Sequence, residues 1–187
     1  MPAPGRVTDA RRAGLARYLG LGGSALLAVA ATRVGAQPGR ADLDGLPHAA
    51  EVPWVLAAVV GLAAVALAWW LVDRLAVAPP TRWLLVTVAL WALPVLVGTP
   101  LASRDVYAYA CQGATAAAGA DPTTTGPAVL PCAWLGSVPP IWRDAPSPYG
   151  PLATLVSHAA AGLAGDRLAV TVGVRRAAAL LGVVLAA

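Results

Sequence analysis

The 187-residue chain contains no Phe, Lys or Asn, one Met, two His and two Cys, and only 12% of its residues are charged. So little charge, beside 58% hydrophobic residues and a mean hydropathy of +0.69, excludes an ordinary soluble domain. His48 and His158 are isolated, and Cys111 and Cys132 stand 21 apart without His partners, so no metal site is expected. No GxxxxGK[ST] or GxGxxG run is present, which leaves a cytosolic nucleotide donor without support. Internal repeats, coiled-coil heptads and low-complexity tails are also missing. The absence of Lys makes every basic residue an Arg, a skew that carries no functional meaning by itself. The net charge of +4 comes from arginines beside apolar runs, where they orient membrane spans, so no nucleic-acid partner is expected.

What is present is a set of long apolar runs. A membrane span needs about 20 mostly apolar residues. Runs over 14–34, 52–72 and 83–99 meet or approach that length, and less sharply bounded ones follow at 149–164 and 168–187. The predicted fold is therefore all-α, a polytopic transmembrane helical bundle. The first run is too long for a cleaved signal peptide and reads as a retained span. Arg6, Arg11, Arg12 and Arg17 gather at its start, and Arg74 and Arg82 flank the turn broken by Pro79-Pro80. The positive-inside rule makes these positions cytoplasmic and places 35–51 and 100–148 outside; the former carries Asp42, Asp44 and Glu51 against Arg40. Trp54, Trp69, Trp70, Trp83 and Trp91 lie mostly near span ends and are expected to anchor them at the headgroup level. Hydropathy is still rising at 177–187, so the chain reads as the N-terminal part of one longer multi-spanning domain, or else as one that ends in the bilayer.

The external loop 100–148 is rich in Pro, Gly and Thr, and loops of this length are usually functional or disordered. Ser103 can cap a helix with Asp105 in its first turn, and Asp105, Tyr109 and Gln112 then share a face at i, i+4 and i+7. Val106, Ala110 and Gly113 form a neighbouring apolar face suited to the membrane boundary, making this an interfacial helix. On spacing alone, Asp105 reads as a helix cap or as a partner of Arg104. His158 reads as a bundle-facing hydrogen-bonding residue or a contact to a lipid phosphate, and Arg175 and Arg176 as snorkelling or phosphate-neutralising side chains.

The order Pro100, Ser103-Arg104-Asp105-Val106-Tyr107-Ala108-Tyr109, a small-residue helix to Gly119, Asp121-Pro122, Gly126-Pro127, Trp142-Arg143-Asp144 and Pro148-Tyr149-Gly150-Pro151-Leu152 resembles a known family. It is similar to the N-terminal part of the actinobacterial polyprenol-phosphomannose-dependent α-1,6-mannosyltransferases, multi-spanning members of the GT-C glycosyltransferase superfamily. The resemblance runs from about residue 82 to 187 and rests on the two motif segments at this separation. Thr123 departs from it, standing where an aromatic residue is expected in relatives.

The resemblance implies a multi-pass cell-membrane hexosyltransferase with an extracytoplasmic catalytic loop and no cofactor. Polyprenyl-phosphate mannose is the implied donor, and a mannan or lipoglycan of the cell wall the acceptor. Asp105 matches the acidic residue of the first large external loop, hence the general base. Arg104, Arg143 and Arg176 are candidates for the leaving phosphate, and Tyr107, Tyr109, Gln112 and Tyr149 for substrate binding. The segment on its own is expected to be inactive. Two other classes stay open: a transporter or lipid flippase, disfavoured because the first three spans lack central carboxylates, and an inactive truncated relic. Cys111 and Cys132, both in the loop, either pair as a disulfide or remain free thiols.

Overall fold

The computed structural model describes residues 4–39, 49–75, 77–101 and 103–186. Arg40, Asp42, Asp44 and His48, assigned above to the first external segment, lie outside these residues, and so does the side chain of Arg6. All regular structure among the described residues is helical: α1 Pro4–Val34, α2 Val52–Asp73, α3 Thr81–Val97, α4 Asp105–Ala117, α5 Pro140–Arg143, α6 Pro151–Ala164 and α7 Leu168–Ala186, with a 3₁₀ turn over Leu135–Ser137. Among the described residues three stretches, Asp9–Val34, Val52–Asp73 and Leu168–Ala186, are long and apolar enough to cross a membrane. Helix α3, with 17 residues, reaches about 26 Å at 1.5 Å per residue, and α6, with 14, only about 21 Å, against a hydrocarbon core of about 30 Å. The chain divides into two compact units, residues 1–37 with 45–102 and residues 38–44 with 103–187.

In the first unit α1 packs on both α2 and α3. Small residues allow the close approach: a Cβ on Gly23 would stand 2.7 Å from the Gly61 carbonyl oxygen, and one on Gly61 2.8 Å from that of Gly23. Between helices in lipid there is no hydrophobic drive, so such backbone-to-backbone packing supplies the attraction. Arginine and tryptophan then finish the helix ends. Arg33 lies 5.2 Å from the Trp54 ring, Arg74 5.1 Å from Trp70 and Arg17 4.3 Å from Trp83, all within cation–π range. Trp91 was expected to act as an anchor, but its indole N–H donates to the Arg17 carbonyl at 2.9 Å, and its ring covers Gly20. Arg17 Nε donates to Thr87 Oγ1 at 2.9 Å and Nη2 to the Trp83 carbonyl at 3.1 Å, so this arginine fastens α1 to α3 from inside the helix pair.

The second unit is built on α6, which packs against α4 and α7. Gly113, expected to face the membrane boundary, instead meets the α6 backbone at Ser157, and its absent side chain lets the two helices touch. Gly165, at φ +52°, turns the chain from α6 into α7.

The long loop of this unit is ordered by internal bonds. Cys111 and Cys132 form a disulfide with Cα atoms 5.4 Å apart, joining the middle of α4 to the segment before the 3₁₀ turn. Arg104 Nε donates to the Ser137 carbonyl at 3.1 Å, and Arg143 Nε to that of Val138 at 3.1 Å, so two guanidiniums hold one turn. The Ser147 N–H reaches the Pro122 carbonyl at 2.7 Å and the Ala128 N–H that of Arg143 at 2.8 Å, which draws the loop's two halves together. Asp121 Oδ1 accepts from the Thr123 N–H at 2.8 Å and from its hydroxyl at 2.7 Å. These two bonds hold the Asp121 carboxyl below its ordinary range, and the second of them needs the short hydroxyl side chain of Thr123.

Candidate active site

Helix α4 begins where its sequence provides an acceptor: the Asp105 N–H donates to Ser103 Oγ at 3.1 Å, satisfying one of the donors that a helix start leaves open. The cap position itself is Arg104, one residue later than the expected Ser103, and no side chain caps from it. Asp105 sits in the first turn, where the helix dipole favours a carboxylate. The polar face expected from spacing is present. Asp105, Tyr109 and Gln112 border a narrow cleft with Ala108, Trp142, Pro148 and Tyr149. The Asp105 side chain is half-buried, and no hydrogen bond or ion pair among the described residues occupies its carboxylate, so the pairing with Arg104 left open above is not made.

Tyr109 and Tyr149 form the centre of this site. Their hydroxyls are 2.8 Å apart and their rings meet edge to face at 5.4 Å, which brings the Pro148-Tyr149 motif onto the helix bearing Asp105. Burial pushes the Tyr109 phenol up to about 12, helped by its bond to Tyr149 and by repulsion from Tyr149 and Asp105, and opposed by Arg175. A phenol with that pKa stays neutral at any physiological pH. Tyr109 can orient a hydroxyl but cannot serve as a base.

A second cleft, of about 190 Å³, shares Tyr109, Gln112 and Tyr149 with the first and is lined further by Ser147, Ser157 and Arg175, among others. Arg175 Nη2 donates to the Tyr109 carbonyl at 2.8 Å and to Ser157 Oγ at 2.6 Å, and its guanidinium lies 4.9 Å from the Tyr109 ring centre. The cation thus comes from α7 and is fixed by α4 and α6, the two helices whose close contact Gly113 permits.

The remaining sequence candidates lie elsewhere in this unit. Tyr107 is fully buried, its ring 6.2 Å from that of Trp134, and burial raises its phenol pKa. Arg104 and Arg143 bond the carbonyls of Ser137 and Val138, and Arg176 follows Arg175 about 100° further round α7. His158 is exposed and borders a separate cleft with Asp121 and Thr123. Trp142 and Ser157 join the site without having been singled out for it, and Arg175, read above as snorkelling or phosphate-neutralising, joins it from α7. A signal for Arg175 was available: Thr171 and Val172, both buried, precede it by four and three residues, which puts it on the inward face of α7. Among the described residues no group of three or more His, Cys, Asp or Glu side chains could hold a metal ion.

Known proteins give this geometry a context. No solved structure matches the chain. The Mycolicibacterium smegmatis protein named "Probable alpha-(1->6)-mannopyranosyltransferase" is 33% identical over 179 residues, which cover 89% of this chain and 32% of the relative. An alpha-(1->6)-mannopyranosyltransferase of Mycobacterium tuberculosis is 32% identical over 195 residues, covering 98% of this chain and 33% of its own length. Alpha-(1->6)-mannopyranosyltransferase B of Corynebacterium glutamicum is 39% identical over 103 residues, 54% of this chain and 17% of the relative. The chain thus spans about a third of the length of the first two. The family described as "Alpha-(1->6)-mannopyranosyltransferase, N-terminal domain" matches residues 17–187, and to that family the chain belongs.

Proposed function

We propose that this chain supplies the base-bearing part of a membrane mannosyltransferase that moves mannose from polyprenyl-phosphate mannose to a mannan or lipoglycan acceptor, forming an α-1,6 linkage on the outer face of the cell membrane. The observation that carries the reading is the Asp105 carboxylate, which no other described residue pairs with, on the polar face of α4 in a cleft walled by Tyr109, Gln112, Trp142 and Tyr149. A primary sugar hydroxyl is a weak nucleophile. Asp105 takes its proton as the oxygen bonds to the anomeric carbon, while the bond from that carbon to the phosphate oxygen breaks. Polyprenyl phosphate leaves as an anion, so no acid is needed to protonate it. Attack opposite a β-linked phosphate inverts the centre and yields the α-mannoside. The names of the relatives support the sugar and the linkage. The Cys111–Cys132 disulfide supports an outward-facing loop, because such bridges persist on the oxidising side of a membrane.

The test is Asp105→Asn in the full-length protein, with membranes supplied with radiolabelled polyprenyl-phosphate mannose and a mannan acceptor. Asparagine keeps the side chain's shape and removes its basicity. Transfer should fall by about 10²–10⁴-fold at unchanged expression, the usual contribution of a positioned base. Activity within about tenfold of wild type would remove Asp105 from the role. Movement of intact donor lipid without sugar transfer would favour a flippase.

A further inference from the structure

Arg175 has more hydrogen-bonding capacity than the protein uses. Its guanidinium carries five N–H donors. Nη2 spends its two on the Tyr109 carbonyl and Ser157 Oγ. Nε is buried without a partner, and Nη1, which is not buried, makes no hydrogen bond among the described residues. No carboxylate pairs with it there, and the polar side chains that line the cleft with it are all neutral: the hydroxyls of Tyr109, Tyr149, Ser147, Thr154 and Ser157 and the amide of Gln112. Buried polar groups in native proteins are nearly always satisfied, and a half-buried cation without an anion calls for one from outside. At about 190 Å³ the cleft has the room of about six waters, enough for a tetrahedral oxyanion but not for a lipid chain.

We propose that Arg175 is the phosphate-binding residue of this unit, with the Tyr149 hydroxyl and the Gln112 amide as flanking donors, and that its ligand is the phosphate of the polyprenyl-linked sugar. The ligand assignment rests on the function proposed above; the anion site itself rests on the side chain's spare donors. The placement fits the chemistry. Tyr109 feels both the Asp105 carboxylate and the Arg175 cation, and the clefts that these two line share Tyr109, Gln112 and Tyr149. Base and cation therefore border the same tyrosine pair, and a displacement needs both, one to deprotonate the nucleophile and one to receive the departing anion. Arg104 and Arg143, whose guanidiniums bond the carbonyls of the 3₁₀ turn, act instead on the shape of the loop.

The experiment compares binding of a short-chain polyprenyl phosphate and the corresponding polyprenol to the full-length protein in detergent micelles, with inorganic phosphate and phosphatidylglycerol as competitors. Wild type should prefer the phosphate by about 10–100-fold, the size of one charge-assisted hydrogen bond. Arg175→Gln should abolish that preference while still binding polyprenol, whereas general damage to the bundle would weaken both ligands alike. Arg175→Lys should restore part of the preference. Ser157→Ala removes a fastening bond but keeps the cation, so it should retain the preference; its loss there would mean that Arg175 merely ties helices together. An unchanged preference in Arg175→Gln would overturn the proposal, and equal displacement by phosphatidylglycerol would overturn the donor as its ligand. Because binding is read without turnover, intact phosphate discrimination in a protein that transfers no mannose would refute the proposed function and leave the anion site standing.

Discussion

Breaking the Cys111–Cys132 bridge tests the loop's order most directly. The cysteines are 21 residues apart. In the chain-entropy model, freeing a loop of that length restores about 11 cal/mol/K to the open state, or about 3 kcal/mol at 25 °C. Cys132→Ala isolates this effect, because the Cys111 thiol it leaves behind is fully buried and packs as a small hydrophobe. The fastening from Arg104 to Ser137 remains and keeps the opening local, while that from Arg143 to Val138 opens with the loop. Since every basic residue in the chain is Arg, trypsin cleavage after half-buried Arg143 reports the open population. When reclosing outpaces cleavage, 3 kcal/mol corresponds to about 150-fold faster cutting. The assay uses membranes accessible from both sides, with the variant compared to wild type with and without a reductant. Reduced wild type should match the variant. An acceleration of less than about threefold would mean that packing alone holds the loop and that the bridge contributes almost nothing.

Two further predictions concern the site and its orientation. A difference titration of wild type against Tyr109→Phe should reveal a phenol ionising at about 12, well above the ordinary value of about 10. Because the folded value is raised, its contribution to stability is fully present below pH 10 and is lost as the pH rises through 12; a phenol ionising near 10 would contradict the buried, hydrogen-bonded pair. Both native cysteines are bridged, so single cysteines placed at exposed Ala78 and Thr124 can be labelled in the native background. An impermeant maleimide on intact cells should reach position 124 and not 78, and the reverse pattern would invert the proposed topology.

Local pattern made much of this protein legible in its sequence. The apolar runs specify helices because a chain in lipid must satisfy its backbone hydrogen bonds internally, and they appear as α1, α2, α3, α6 and α7. The helical period alone aligned Asp105, Tyr109 and Gln112, and that face borders the cleft. The roles of the arginines were decided by tertiary structure. Thirteen of them look alike in sequence, but a guanidinium's function depends on which acceptors the fold delivers. The 3₁₀ turn takes up Arg104 and Arg143 through their Nε atoms, α3 takes up Arg17, and the packing of α4, α6 and α7 sets Arg175 beside the tyrosine pair. Gly113 shows the same division from the other side. Its residue type allows close approach, but only the three-dimensional arrangement determines that the approaching backbone is Ser157 of α6, because a contact 44 residues away leaves no periodic trace along the chain.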